Sequence, residues 1–300
     1  MTLGERLKQA GEFSPLDVLI REGEVAANTF RLPFSRLTAK GRAGNWAGAG
    51  VGSSIDFQDH RPYVPGDDPR YINWQAFART GHYTMKLYRE EVSPRLDVIF
   101  DASKSIFNEV DKARKAVSLL FFVCHSAWRN SASLKVYTAL GRTLSFAEND
   151  SLRSGEIAIP EDLEGSDSPM DWARIPLRPQ SLRVVISDLL FDQEPSIALR
   201  SLGRQGTHVV FFCLFTKQEW KPDWLGNVEL LDCEIDRRAR RYFTREDLDN
   251  YRLRYDAHFS AWSEAVSRIS GNFARIDAEG SLEDSLLTVA NLKEGVELCQ

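Results

Sequence analysis

Cysteine is scarce: Cys124, Cys213, Cys233 and Cys299 stand far apart in 300 residues, with no C-x-x-C pair. The spacing that marks a disulfide framework or a thiolate zinc site is missing. Five histidines are equally dispersed and no H-E-x-x-H occurs, which leaves a hydrolytic zinc centre without its helical ligand pair. Apolar runs are short. The two most apolar stretches, Val117 to Trp128 and Val209 to Phe215, fall below the about 20 residues that cross a bilayer as a helix. Neither sign of charge prevails, 38 Lys+Arg facing 43 Asp+Glu for a net −5, so no global basic field holds a nucleic-acid backbone or an anionic membrane. The opening MTLGERLKQAGEFSPLDVLI interleaves charge with apolar side chains instead of building a secretory signal, and with free thiols this implies a reducing cytoplasm. Neither G-x-x-x-x-G-K-[ST] nor G-x-S-x-G is present, which removes the usual marks of a phosphate-cradling loop and of a nucleophile elbow.

What remains is a chain with 43% hydrophobic and 27% charged residues, enough to bury one sizeable core or two modest ones. Residues Leu16 to Leu37 carry a moderately amphipathic pattern, and five glycines between Gly41 and Gly52 then mark a loop. The stretch from Asp56 to Glu91 crowds prolines, aromatics and alternating charges and reads as turns, one short helix and a strand. From Arg95 the pattern changes to apolar strands alternating with amphipathic helices: LDVIFD, then DKARKAVSLLFFVCHSAW, then SLKVYTAL with RTLSF, then LRVVISDLLF, SIALRSLGRQG and THVVFFCLF. VELLDCEI reads as an edge strand, followed by a long helix from Glu246 and a last strand, NFARID. Such alternation predicts an α/β fold, a doubly wound, mostly parallel Rossmann-type sheet at 95–300. An irregular N-terminal region is expected at 1–94.

In a sheet of this type, ligands bind outside the carboxyl ends of the strands, near the point where strand order reverses. Two apolar strands deliver aspartate there. LDVIF is followed by Asp101-Ala102-Ser103-Lys104-Ser105, and LRVVIS by Asp188. An aspartate with two hydroxyls at alternate positions offers hard oxygen donors suited to Mg²⁺ or Mn²⁺. The competing reading is that Ser103 or Ser105 simply caps the following helix.

Asp101-x-Ser103-x-Ser105 after one strand and Asp188 after a later one resemble the metal-ion-dependent adhesion site of von Willebrand factor A domains. Upstream, Asp56-Phe57-x-x-His60-Arg61-Pro62-Tyr63-Val64-Pro65-Gly66-Asp67-Asp68-Pro69-Arg70-x-Ile72-x-Trp74, followed by Ala78-Arg79-Thr80-Gly81, is similar to the family called domain of unknown function 58, which joins this signature to an A-type domain. The resemblance runs from about Leu32 to about Leu287. It implies a von Willebrand A-like fold and a binding protein rather than a catalyst. Such proteins are usually encoded beside a MoxR-type AAA+ ATPase and work with it as an adaptor or chaperone-like partner. By the same resemblance Ser103 and Ser105 ligate Mg²⁺ (or Mn²⁺) through their hydroxyls, and Asp101 and Asp188 hold it directly or through water. An acidic residue of a client protein would complete the coordination. The threonine ligand of A domains has no counterpart here; Ser166 or Ser168 is the nearest substitute.

Within the upstream signature, Arg61, Asp67, Asp68, Arg70 and Arg79 stand among Tyr63, Trp74 and Phe77. One reading is a docking surface for the ATPase, with Trp as anchor; the other, favoured by the alternation of Asp and Arg, is a self-satisfied bracing network. The basic run Arg237-Arg238-Ala239-Arg240-Arg241 reads as a solvated face, not a nucleic-acid patch. Two rival functions stay open: a Mg²⁺-dependent phosphoryl-transfer hydrolase with Asp101 as nucleophile, weakened because the acid expected two residues later is Ser103, and a metal-free structural scaffold.

Overall fold

The structure is a computed structural model describing residues 1–11, 15–34, 57–88, 93–160, 170–203, 207–232 and 237–299. The chain divides into two compact units, one formed by Met1–Lys40 with Pro94–Gln300 and the other by Gly41–Ser93. It begins with helices α1 (Leu3–Gln9) and α2 (Leu16–Thr29) and a short strand β1 (Phe30–Arg31). The smaller unit contributes β2 (Phe57–Pro62), a 3-10 turn at Pro69–Tyr71, helix α3 (Trp74–Thr80) and β3 (Thr84–Tyr88). There follow β4 (Arg95–Asp101), α4 (Lys104–Phe107), α5 (Val110–Arg129), β5 (Ser133–Leu140), β6 (Thr143–Ala147) and α6 (Asn149–Ser154). Next come β7 (Ser181–Ser187), α7 (Pro195–Leu202), β8 (His208–Phe215) and α8 (Lys217–Trp220). The last elements are β9 (Gly226–Asp232), β10 (Arg237–Phe243), α9 (Arg245–Arg268), β11 (Asn272–Asp277), α10 (Leu282–Leu292) and β12 (Glu297–Leu298).

Six strands form the central sheet in the order β11-β8-β7-β4-β5-β6. All neighbours run parallel except β6, which returns antiparallel on β5 from Leu140↔Thr143 to Val136↔Ala147. This is the doubly wound, mostly parallel α/β fold expected from the alternation, in keeping with a Rossmann-type or von Willebrand A-like domain. The inner strands are mostly apolar because helices cover both faces. On one face Leu96, Val98 and Phe100 of β4 pack with Phe121 of α5, Leu19 of α2 and Leu286 of α10. On the other, Ile99, Val185 and Phe211 meet Leu199 of α7 and Phe259 and Trp262 of α9. Strand order reverses between β4 and β7, the place where such sheets bind ligands. No helix among the described residues is long and apolar enough to cross a membrane.

Two expectations need correction. The division at residue 94 holds for the smaller unit but not for the first forty residues, which cluster with the sheet-bearing unit. Leu3, Leu7, Leu19, Ala26, Ala27 and Phe30 all belong to its core. A side chain at Gly23 would put Cβ 2.5 Å from the backbone nitrogen of Phe122, so α2 lies against α5 at a distance only glycine permits. The second concerns VELLDCEI. Its strand β9 does not edge the central sheet; it pairs antiparallel with β10 in a separate hairpin, Arg238 opposite Leu231 and Arg240 opposite Glu229. Alternation of half-buried and exposed side chains along β9 suits a ribbon covered on one face as well as a sheet edge. The arginine run lies on β10, and Arg238 and Arg240 are exposed and pair with Glu229, the solvated face anticipated for it.

Candidate metal centre

Where β4 ends, Asp101 turns inward and is buried. Its Oδ1 accepts the backbone N–H of Ser103 at 2.9 Å, and its Oδ2 accepts the hydroxyl of Ser187, the last residue of the neighbouring β7, at 2.6 Å. The turn carries the chain into α4, for which Ser103 stands at the capping position without a side-chain capping bond. Instead the Ser103 and Ser105 hydroxyls lie 3.0 Å apart. Capping alone therefore does not account for this pair.

Asp188 follows β7 directly and is 1% exposed. Its Oδ1 accepts the N–H of Leu190 at 3.1 Å, while its Oδ2 accepts the Lys112 ammonium at 3.1 Å. The intervening Leu189 is buried with φ +55°, a left-handed conformation that costs a branched residue on the order of 1 kcal/mol or more. Its surroundings hold it there: its N–H donates to Ser187 Oγ at 3.0 Å and its carbonyl accepts from His258 Nε2 of α9 at 2.9 Å. Backbone strain fixed by this many partners is typical of sites whose geometry matters.

Lys112 is the feature that sequence reasoning missed. It lies in the first turn of α5, fully buried, and its ammonium donates to Asp188, to Glu219 of α8 and, at 3.4 Å, to the Ser105 carbonyl. Glu219 is positioned by a capping box, its carboxylate accepting the Thr216 N–H while the Thr216 hydroxyl accepts the Glu219 N–H. The T-x-x-E pattern immediately after THVVFFCLF was a visible signal for that turn. Ser187 was equally visible as the residue before Asp188. Nothing local marks Lys112, because its partners are 76 and 107 residues away.

Burial, and then the negative charge of Asp188, push the Asp101 carboxyl up to about 7. Burial works against the charge of Lys112, but Asp188 and Glu219 outweigh it and hold that ammonium above the usual lysine range. With three carboxylates and one ammonium gathered here, negative charge is in excess. Among the described residues no group of three His, Cys, Asp or Glu is arranged to hold a metal; the donors converging here are two carboxylates and two hydroxyls. That set fits a hard divalent cation and suits zinc poorly. Asp101, Ser103, Ser105 and Asp188 would hold it, and the cation would supply an electrophilic point for an incoming carboxylate. Ser166 and Ser168, the expected substitutes for the missing threonine, lie outside the described residues.

The signature residues form a separate, local network. Arg61 holds Asp67 through two bonds of 2.7 Å, and Asp67 also accepts the Val64 N–H. Asp68 caps the 3-10 turn and pairs with Arg70. Phe77 stacks on Tyr83 at 4.4 Å, with Trp74 edge-on to Tyr83 at 6.4 Å and Tyr63 tilted against it at 6.1 Å. These pairs are internal to the small unit, as a bracing network requires. Trp74 nevertheless remains 57% exposed, and Arg79 is exposed on the same helix.

Residues 59–264 match the family model described as Protein of unknown function DUF58. The chain belongs to that family. In this DUF58 protein the matched span contains the signature from His60 onward, both strand-end aspartates, Lys112 and Glu219. No curated protein matched. Among solved structures, the conserved hypothetical protein BatB from Bacteroides thetaiotaomicron aligns over 67% of this chain and 98% of its own, at 8% identity and a TM-score of 0.36.

Proposed function

We propose that this protein is a non-enzymatic, metal-assisted protein-binding module that serves a MoxR-type AAA+ ATPase as an adaptor or chaperone-like partner. The observation that carries the metal part is the convergence of Asp101, Ser103, Ser105 and Asp188 from two adjacent strand ends into a buried region with excess negative charge. Mg²⁺ or Mn²⁺ there would keep one coordination position for a carboxylate of a client protein. Charges meeting in a partly desolvated interface are directional and selective. Asp101 is poorly suited to act as a phosphoryl nucleophile, since both its oxygens accept hydrogen bonds and position 103 offers no acid. The ATPase partner rests on the family resemblance, and the exposed Trp74 is the anchor that such docking would use.

Thermal unfolding tests the metal part. A ligand that binds only the folded state raises its midpoint by mass action. Millimolar Mg²⁺ or Mn²⁺ is expected to raise the wild-type midpoint over that in chelator and to leave Asp101→Ala unmoved. An equal response of both proteins, or of neither, counts against the cation site. A metal-free scaffold is the second reading, favoured by the ammonium of Lys112 that already neutralises Asp188.

A further inference from the structure

We infer that Lys112 is a tethered rival of the divalent cation: ammonium and metal share Asp188, and metal binding hands Lys112 over to Glu219. The inference rests on the metal-site reading above and adds to it the residue that sets cation affinity. Three observations carry it. The ammonium contacts Asp188 at 3.1 Å and the Ser105 carbonyl at 3.4 Å, so it stands beside two of the four residues that would ligate a cation. Lys112 is 0% exposed, so water does not screen its repulsion of a second cation a few ångströms away. And Glu219, on the first turn after β8 and only partly buried, gives the ammonium a second anion, so that leaving Asp188 does not strand a buried charge.

Lysine suits this role chemically. Its ammonium is a compact point charge at the end of a flexible stem, able to swing between two carboxylates without moving the backbone. In the absence of metal, Lys112 neutralises Asp188 and keeps the strand ends together. With metal bound at Asp101, Ser103, Ser105 and Asp188, the ammonium belongs to Glu219 alone. Cation affinity is then the difference between two cations competing for one carboxylate, and it is lowered by Lys112 and restored in part by Glu219.

The test is Mn²⁺ titration of the full chain by calorimetry, with Mn²⁺ electron paramagnetic resonance as a second readout. Wild type is compared with Lys112→Met, Lys112→Gln, Glu219→Gln and the double variant Lys112→Met/Asp188→Asn. Both Lys112 variants are expected to bind Mn²⁺ about ten-fold more tightly or better, the double variant to lose that gain, and Glu219→Gln to bind more weakly than wild type. A Lys112 variant that is unfolded in chelator and folds with Mn²⁺ supports the inference as well, because the metal then replaces the ammonium. If wild type binds Mn²⁺ and neither Lys112 variant binds it more tightly, the rivalry is refuted and the metal site stands. If no protein in the series binds Mn²⁺, the metal site itself falls. Lys112 variants that stay unfolded with and without Mn²⁺ overturn the inference too, since the metal would then not substitute for the ammonium.

Discussion

Replacing Asp101 by asparagine should stabilise the metal-free protein at alkaline pH. In the fold, burial and the Asp188 charge raise this carboxyl from 3.8 to about 7. A raised acid contributes stability in its protonated form. That contribution is complete below the unfolded value, is lost as pH rises through the folded value, and is gone above about 7. The whole displacement corresponds to on the order of 4 kcal/mol, of which roughly 2.5 kcal/mol accumulates between about pH 5 and about pH 8. Asparagine keeps the shape and one carbonyl acceptor, so either the Ser103 N–H or the Ser187 hydroxyl loses an ideal partner, costing about 1 kcal/mol. The expected outcome in chelator is that Asp101→Asn is less stable than wild type by about 1 kcal/mol near pH 5 and more stable by about 1.5 kcal/mol near pH 8. For a unit of this size the latter is a midpoint a few degrees higher, at about 2 °C per kcal/mol. Urea or thermal unfolding followed by circular dichroism at the two pH values reads it directly. A stability difference between the two proteins that is the same at both pH values would refute this account of Asp101. Saturating Mn²⁺ should reverse the order, since the carboxylate then has its counter-charge.

The other expectations concern stability. In chelator, Lys112→Met leaves Asp188 and Glu219 without their cation and should cost about 3–5 kcal/mol, seen as a lower urea midpoint. Gly23→Ala puts a methyl 2.5 Å from the Phe122 nitrogen and 2.7 Å from both the carbonyl carbon and the Cβ of Phe121; separating α2 from α5 should cost about 1–3 kcal/mol, again read as a urea midpoint. At the opposite end of β4, Asp97 is buried and accepts from Arg178 at 2.7 Å and from Ser181. Asp97→Ala should cost about 3 kcal/mol while leaving the Mn²⁺ affinity of the folded protein unchanged; a loss of Mn²⁺ binding would mean that the two ends of the strand are not independent.

The family resemblance pointed to the right signature, yet several features of the site became visible only in three dimensions. Alternation of apolar runs with amphipathic stretches is a local property, one that each segment satisfies by itself. So the strands from LDVIFD to NFARID, the returning pair at SLKVYTAL and RTLSF, and Asp101 and Asp188 at strand ends were legible from their neighbours in the chain. The Arg61–Asp67 and Asp68–Arg70 pairs were legible for the same reason, their partners being six and two residues apart.

What the tertiary structure alone decided involves partners far apart in the chain. The amphipathic pattern of α2 did not say which surface it would cover, and Gly23 acquires its meaning only against Phe121 and Phe122. The alternation in VELLDCEI suited a sheet edge and a free-standing ribbon alike, and pairing with the arginine run settled it. Lys112 reads in sequence as one more charge on a helix; β7 and β8, lying side by side, bring Asp188 and Glu219 to it from 76 and 107 residues away. A buried charge is tolerated only where the fold assembles its counter-charges, and periodicity along the chain carries no record of that assembly.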